Sequence, residues 1–300
     1  MPARHFLTLL DFAPQELARL LERATQLKRL HGERQDPRVL TGRTLAMVFE
    51  KASTRTRVSF EAGMAQLGGS TMFLSPRDTQ LDRGEPVEDM ARAMSRMVDV
   101  IVIRANSHAM IERFAGHSHA PVINALSDLH HPCQLLADVQ TYIEYRGDIR
   151  GKTAAWIGDG NNVCNSWIHA AQQFDFHLRV ASPAGYGPNS DILACCPGRV
   201  AVMTDPQAAA RGADIVVTDT WASMGQEDEK SERLKAFSGF QVDRSLMRHA
   251  NPDALFMHCL PAYRGHEVAA EVIDGPQSVV WDEAENRLHA QKALLEYLLR

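Results

Sequence analysis

The sequence lacks a long apolar stretch, a secretory leader and a cysteine framework. None of its 300 residues belongs to a run approaching the roughly 20 apolar residues that a membrane-spanning helix needs. The first ten residues do not have the basic-then-apolar order of a signal peptide. The five cysteines have neither paired nor zinc-ligand spacing, and Cys195 and Cys196 are adjacent, which is poor geometry for a bridge. We therefore expect reduced thiols, a cytoplasmic protein and no membrane attachment.

The sequence also lacks a strong charge imbalance. Its formal net charge is −5, with both signs mixed along the chain, so it offers no basic surface for nucleic acid. With 45% hydrophobic and 23% charged residues, the composition is that of a globular protein. A chain of this length is expected to form about two domains, each with its own core.

Short apolar runs alternate with helical stretches along most of the chain. The runs are continuous rather than alternating, which predicts strands that are covered on both faces, as in parallel sheets. The intervening helices predict βαβ units with right-handed crossovers. The predicted strands are Thr44–Phe49, Thr71–Leu74, Val100–Ile103, Val122–Asn124, Ala154–Ile157, Leu178–Ala181, Val200–Met203, Ile215–Thr218 and Leu255–His258.

Longer helices and one polar turn divide this pattern into halves. Helices are predicted around Leu17–Leu27, over His131–Arg146 and over Glu285–Leu299. The polar turn Arg146–Lys152 separates the two sets of strands. We predict an α/β fold of two parallel-sheet βαβ domains, each a three-layer sandwich, joined by interdomain helices. The charged run Gln226–Lys235 is predicted to be a solvated surface loop.

One strand is followed by a segment suited to an anion. Ser53–Arg57 follows the predicted strand Thr44–Phe49 and precedes a helical pattern through Gln66. Ser53 suits an N-cap, and the next turn offers free N–H groups that favour an anion. Arg55 and Arg57 add positive charge and bidentate donors. The alternative is a capped helix with two surface arginines.

A second strand is followed by a glycine-containing turn. Gly158–Asn162 resembles a dinucleotide-binding turn, but Val163 stands where that motif has its third glycine. A nicotinamide-dependent oxidoreductase is therefore a weak alternative. Lack of binding to such a cofactor would exclude it.

Five segments together resemble the aspartate and ornithine carbamoyltransferase family. They occur in the family's order and cover nearly the whole chain. Two of them, Asp219–Gly225 and His258–Pro261, resemble elements typical of the ornithine enzymes. In chain order, the segments are Ser53–Arg57, His131–Gln134, Asp219–Gly225, His258–Pro261 and Glu285–Arg287.

The resemblance implies the activity and the residues that carry it. It implies transfer of the carbamoyl group of carbamoyl phosphate to the δ-amine of L-ornithine, with no cofactor and no metal. Residues 1–146, together with the helix 285–300, would bind carbamoyl phosphate, and residues 147–284 would bind ornithine. The implied carbamoyl-phosphate ligands are Ser53, Thr54, Arg55, Thr56, Gln80, Arg104, His131, Gln134, Cys259, Leu260 and Arg287.

The resemblance also assigns roles within this set. Arg104 would contact both the phosphate and the carbonyl oxygen, and a neutral His131 would donate to that oxygen. Gln134 would recognise the carbamoyl amide. The implied catalytic residues are Arg55, Arg104, His131, Asp219 and Cys259.

On the ornithine side, the family pattern assigns the amino-acid contacts. Asn162 would hold the carboxylate, Asp219 and Ser223 would surround the α-amino group, and the Met224 backbone would lie near the carboxylate. Cys259 would lie beside the reacting δ-amine, where inert packing is its alternative role. An isolated Asp219 at a buried strand end would be costly without a cation, and ornithine supplies one.

The chain departs from the family pattern in one loop. Thr79 and Asp82 replace a serine and a glycine that ornithine enzymes usually have, although Gln80 remains. Aspartate enzymes use a lysine in this loop, and none lies between Phe73 and Pro86. By resemblance, Gln80 would reach the active site of a neighbouring subunit in a homotrimer. A transferase for another amine and a catalytically silent paralogue remain alternatives, which a turnover assay separates.

Overall fold

The computed structural model describes residues 3–75, 78, 84–222 and 229–300. The chain forms two compact units, one of residues 1–140 with 285–300 and one of residues 141–284. No helix in these described ranges is long and apolar enough to cross a membrane. The chain passes from one unit to the other inside two long helices, Pro132–Arg146 and Val280–Leu299.

Every predicted strand is present, and no strand end differs from its prediction by more than two residues. The strands are β1 (Thr44–Phe49), β2 (Ser70–Leu74), β3 (Val100–Arg104), β4 (Val122–Leu126), β5 (Thr153–Ile157), β6 (His177–Ala181), β7 (Val200–Met203), β8 (Ile215–Val217) and β9 (Leu255–Met257).

The helices of the described residues include several short ones that the sequence pattern does not indicate. They are α1 (Pro14–Gly32), α2 (Thr54–Gln66), α3 (Val87–Met94), α4 (His108–His117), α5 (Pro132–Arg146), α6 (Asn162–Phe174), α7 (Ser190–Cys195), α8 (Pro206–Ala210), α9 (Lys230–Ala236), α10 (Arg244–Met247), α11 (Ala270–Ile273) and α12 (Val280–Leu299). A short 3-10 helix, Leu9–Asp11, precedes α1.

In the described part of the first unit, the strands form a parallel sheet in the order β2-β1-β3-β4. Nearly every residue of β1 and β3 is buried, so both faces of the sheet are covered. On one face, Ala46, Ile101 and Ile103 pack with apolar residues of α3 and α4. The register pairs Phe49 with Arg104, which brings the end of β1 beside the end of β3.

The second unit contains a parallel sheet in the order β7-β6-β5-β8-β9, counted over the described residues. Ala155, Val216 and Phe256, of the neighbouring strands β5, β8 and β9, pack with apolar residues of α8, α10 and α11. Strands β5, β8 and β9 are neighbours, so the segments after their carboxyl ends lie along one edge. The predicted α/β fold with two parallel sheets is confirmed.

Two predicted segments differ from the structure. The terminal helix begins at Val280 rather than Glu285, and Asp282 and Glu283 stand in its acidic first turn. The charged run predicted as a solvated loop contains α9, and Arg233 within it is only 7% exposed. Residues 226–228 of that run lie outside the described residues.

Candidate active site

The first group of predicted ligands lies where β1 ends and α2 begins. Ser53 occupies the N-cap position of α2, but its hydroxyl makes no capping bond to the helix. Thr54 and Arg55 are exposed in the first turn, whereas Thr56 is buried. Because the first N–H groups of a helix have no partner within the helix, this turn can donate to an anion.

The Ser53 hydroxyl has a different partner, Arg104. The Nη1 atom of Arg104 donates to Ser53 Oγ at 3.0 Å, which joins the end of β3 to the start of α2. Arg104 is only 7% exposed. The Glu50 backbone N–H donates to the Arg104 carbonyl at 2.8 Å, and the Glu50 carboxylate accepts from Asn106 N–H at 2.7 Å. The arginine predicted to contact both phosphate and carbonyl is therefore held beside the anion turn.

Arg57, predicted from the sequence to add charge to this anion turn, has partners of its own in the structure. The Arg57 Nε donates to Glu61 at 2.8 Å, and its guanidinium lies 3.9 Å from the ring centroid of Phe73. This pairing neutralises the Arg57 charge locally. Of the two arginines in the motif, Arg55 is the one that stays exposed without such a pairing in the described residues.

Arg287 links the anion turn to the motif at the start of α5. It is 3% exposed and donates through Nη2 to Thr56 Oγ1 at 2.8 Å. Its Nη1 donates to Gln134 Oε1 at 3.1 Å. The terminal helix therefore carries a buried cation into the same group of residues. From the sequence, Arg287 stands in an ordinary terminal helix, and only the family resemblance singles it out.

His131 belongs to the same group. It is buried, and burial, together with the positive charges of Arg287 and Arg104, holds the pKa of its imidazole well below the ordinary value. The ring is therefore neutral at pH 7 and has one N–H to donate. The structure thus brings together Ser53, Thr56, Arg104, His131, Gln134 and Arg287 within the first unit.

The second unit holds a separate group at the carboxyl ends of β5, β8 and β9. Asp219 follows β8 and is 8% exposed. Its carboxylate accepts from Asn161 Nδ2 at 2.7 Å and from Thr220 N–H at 2.7 Å. Asn161 also caps α6, since its Oδ1 accepts from the N–H groups of Val163 and Cys164. Asn162 follows as the first, half-buried residue of α6.

Gly160 allows the turn after β5 to approach the backbone of Gly187 closely. A Cβ at Gly160 would stand 2.2 Å from the carbonyl carbon of Gly187, so no other residue fits without moving backbone. The Gly160 N–H donates to the Tyr186 carbonyl at 2.8 Å. The close contact fixes the turn that carries Asn161 and Asn162.

Cys259 is half-buried and lies against Asp219. Its Sγ donates to Asp219 Oδ1 at 3.3 Å. The next residue, Leu260, has φ of 57°, a left-handed conformation that costs a residue with a Cβ about 1–2 kcal/mol. Its N–H donates to His258 Nδ1 at 2.9 Å, so the His258 Nε2 carries the proton and donates to Glu267 at 3.2 Å. The buried His258–Glu267 pair thus holds the backbone beside Cys259.

Three predicted ligands cannot be placed. Gln80, Ser223 and Met224 lie outside the described residues, as do the Thr79 and Asp82 departures.

Comparison with known proteins identifies the family. Residues 4–144 match the carbamoyl-P binding domain of aspartate/ornithine carbamoyltransferases, and residues 150–298 match the Asp/Orn binding domain. The chain belongs to the aspartate/ornithine carbamoyltransferase family. The family predicted from the five segments is therefore confirmed.

Similar proteins match over their full length. The ornithine carbamoyltransferase of Halorhodospira halophila is 65% identical, with 99% of each chain covered. A protein named anabolic ornithine carbamoyltransferase 1, from Pseudomonas savastanoi pv. phaseolicola, is 58% identical over 100% of this chain and 98% of its own. The crystal structure of the Burkholderia thailandensis ornithine carbamoyltransferase has a TM-score of 0.92 and 54% identity, covering 99% of this chain and 98% of that one.

Sequence reasoning missed several residues that organise this family member's site. Asn161 holds Asp219 although the two are 58 positions apart. Arg233 donates to the Trp221 carbonyl at 2.9 Å and pairs with Asp159 at 3.2 Å. Burial raises the pKa of Asp159 to about 6, against the lowering effect of Arg233. The Asn161 cap position was visible in the sequence, whereas the Arg233–Asp159 pair depends on tertiary structure.

Asp219, His258 and Cys259 also place one ligand-type atom each within 4.8 Å of one another. Both ring nitrogens of His258 are engaged, one by Leu260 N–H and one by Glu267. A metal ion would have to break one of these bonds, so the donor set suits hydrogen bonding better than metal binding.

Proposed function

We propose that this carbamoyltransferase family member transfers the carbamoyl group of carbamoyl phosphate to the δ-amine of L-ornithine. The products are L-citrulline and phosphate. The observation that carries the choice of ornithine is the buried Asp219 carboxylate with the Cys259 thiol donating to it. A fixed negative charge favours a substrate that brings an ammonium group and disfavours the second carboxylate of aspartate.

Carbamoyl phosphate would bind in the first unit. The α2 N-terminus and Arg55 would hold the phosphate, with Ser53, Thr54 and Thr56 as neighbouring donors. Arg104 would contact both the phosphate and the carbonyl oxygen. Arg287, which donates to Thr56, would add positive charge. The bond from Arg104 to the Ser53 hydroxyl supports this arrangement because it orients the guanidinium at the anion turn.

His131 would polarise the carbonyl. A neutral imidazole can donate to the oxygen and stabilise the negative charge that develops there, whereas an imidazolium would be costly beside two arginines. The lowered pKa of His131 supports this role. Gln134 would recognise the carbamoyl amide.

Ornithine would bind in the second unit. Asn162 would hold its carboxylate with the Met224 backbone, and Asp219 with Ser223 would hold its α-ammonium. Cys259 and the Leu260 backbone would lie where the δ-amine meets the carbamoyl group. The bonds from Asn161 and Thr220 support Asp219 as a pre-oriented anion.

The chemistry needs no covalent intermediate with the protein. The δ-amine, having lost one proton, attacks the carbonyl carbon, and a tetrahedral oxyanion forms. The bond between that carbon and the phosphate oxygen then breaks, and the nitrogen releases its second proton as the ureido group forms. Positioning and oxyanion stabilisation would provide most of the rate enhancement.

The direct test is a turnover assay. Purified protein is incubated with carbamoyl phosphate and, separately, ornithine, acetylornithine, putrescine and aspartate, and ureido product and phosphate are measured. We expect equal amounts of citrulline and phosphate with ornithine and little product with the other amines. Preferred use of another amine, or no turnover by folded protein, would contradict the proposal.

We further propose a cytoplasmic homotrimer acting in arginine biosynthesis. The 58% identity with the anabolic Pseudomonas enzyme supports the biosynthetic role, and the absence of disulfides among the described cysteines supports the location. In a trimer, Gln80 would contact the carbamoyl phosphate of a neighbouring subunit. A heterologous three-fold contact closes into a ring, so each subunit would give and receive one loop.

Subunit mixing tests this assembly. Arg55→Ala and Gln80→Ala trimers are each defective at every site, but remixed trimers would contain some interfaces with both residues intact. We expect activity to recover after dissociation and remixing. Mixed trimers without any gain would show that Gln80 does not act across subunits.

A further inference from the structure

Asp138 is a buried carboxylate to which the proposed reaction assigns no role. It lies on α5 and is 2% exposed. Its Oδ1 accepts from Gln134 Nε2 at 2.8 Å, one helical turn earlier. A buried charge of this kind is costly unless it serves a partner, and Gln134 is the residue proposed to recognise the carbamoyl amide.

The two ends of the Gln134 amide meet groups of opposite hydrogen-bonding character. Its Nε2 faces Asp138, and its Oε1 accepts from Arg287 Nη1 at 3.1 Å. A carboxylate accepts and a guanidinium only donates, so these neighbours are compatible with one amide orientation. The reversed amide would point its oxygen at Asp138 and its NH₂ group at Arg287.

The acceptor end of Gln134 therefore lies on the side of the anion site. Arg287, which holds that oxygen, also donates to Thr56 in the first turn of α2. The carbamoyl group presents an NH₂, which can donate to such an oxygen. An acyl phosphate with a methyl group in place of the NH₂ would leave the buried oxygen facing carbon, which is unfavourable.

We propose that Asp138 is a specificity-determining positioning residue. It keeps the Gln134 oxygen directed at the carbamoyl amine, so that the site distinguishes carbamoyl phosphate from acyl phosphates of the same size. This inference rests on the proposed function, because it assumes that the anion site takes a carbamoyl group.

Stable phosphonates separate recognition from turnover. Phosphonoacetamide carries the amide NH₂, acetonylphosphonate has a methyl group in its place, and inorganic phosphate has neither. Calorimetry would give the dissociation constant of each for the wild type and for Asp138→Asn. The neutral Asn can donate or accept, so it no longer imposes one orientation on Gln134.

We expect the wild type to prefer phosphonoacetamide to acetonylphosphonate by about tenfold or more, the order expected for one hydrogen bond. In Asp138→Asn, this preference should fall several-fold, while phosphate affinity stays within about twofold. An unchanged preference would overturn the inference, and so would an equal loss of affinity for all three ligands.

A double variant tests whether the preference for the amide ligand can be rescued, with phosphate binding as the check that the protein is folded. Gln134→Glu combined with Asp138→Asn fixes an acceptor at position 134, to which the Asn amide at position 138 can donate. We expect the preference for the amide to return. If the double variant folds and binds phosphate but shows no preference, orientation of the acceptor is not what Asp138 provides.

The same titrations distinguish an error in the proposed function from an error in the proposed role of Asp138. If the wild type binds phosphate but has no preference for phosphonoacetamide, the carbamoyl site itself, and with it the proposed function, is wrong. If the wild type prefers the amide and Asp138→Asn keeps that preference, only the role of Asp138 is wrong.

Discussion

The two units carry opposite charges in their groups of candidate site residues, but in both units these charges make hydrogen bonds to uncharged groups. In the first unit, Arg104 and Arg287 donate to uncharged oxygens, those of Ser53, Thr56 and Gln134. In the second unit, the Asp219 carboxylate accepts from uncharged donors on Asn161, Thr220 and Cys259. In each of these hydrogen bonds the partner is uncharged and orients the charged group.

Two other arginines of these segments form ion pairs instead. Arg57 pairs with Glu61, and Arg233 pairs with Asp159 and Glu229. These groups are neutralised by a partner of opposite charge and hold structure in place. We therefore expect a charge whose described hydrogen bonds go to neutral groups, rather than one paired with an opposite charge, to be the one that meets the ligand.

The largest effect should come from Arg55, one of the two arginines of the anion motif. Arg55→Ala should lower kcat/KM for carbamoyl phosphate by about 10²–10³, since losing one side of a charge-assisted pair costs about 2–5 kcal/mol. Arg57→Ala removes an exposed, already paired arginine and should cost only a few-fold. Steady-state kinetics of both variants checks this. Equal losses would mean that local pairing does not decide which arginine binds the ligand.

A smaller effect is expected at Cys259. The bound δ-amine must lose a proton, and its free pKa is about 10. Cys259→Ala removes the thiol that donates to Asp219 and should lower kcat about tenfold or move the acidic limb of the pH–rate profile. Cys195→Ala, at an exposed position, is the matched control. An unchanged rate and profile for Cys259→Ala would assign this cysteine to packing.

The smallest effect concerns stability and pH. The folded state holds the pKa of His131 well below its usual value, while in the unfolded chain it is about 6.5. Below pH 6.5 the unfolded state therefore binds a proton that the folded state does not, and stability falls as the pH falls. His131→Asn lacks this contribution, so its stability relative to the wild type should improve as the pH falls from 7.5 to 5.5, by an amount on the order of 1 kcal/mol. Urea unfolding at both pH values measures it, and a pH-independent difference would argue against a neutral buried His131.

The sequence predicted those strands and helices whose hydrophobic pattern is long or continuous. Continuous apolar runs predicted β1 and β5 because strands covered on both faces must be apolar throughout. Helices of four to seven residues, such as α10 and α11, are too short to show a helical period and were not predicted. The start of α12 was missed although acidic residues in its first turn indicated it.

The site was predictable only in part. The family resemblance named Arg104, Gln134 and Asp219, but not the partners from distant parts of the chain that help to orient them. Asn161 reaches Asp219 across 58 positions, and Arg287 reaches Gln134 across 153. Local patterns carry no information on such contacts.

The most direct test of the central claim is a crossed binding measurement. Carbamoyl phosphate is titrated calorimetrically into the wild type, Arg55→Ala and Asp219→Asn, without ornithine. If the first unit holds the anion-binding charges and the second the cation-binding charge, Asp219→Asn should bind carbamoyl phosphate as the wild type does, although its KM for ornithine rises. Arg55→Ala should lose this binding. Wild-type binding by Arg55→Ala, or its loss in folded Asp219→Asn, would contradict the account.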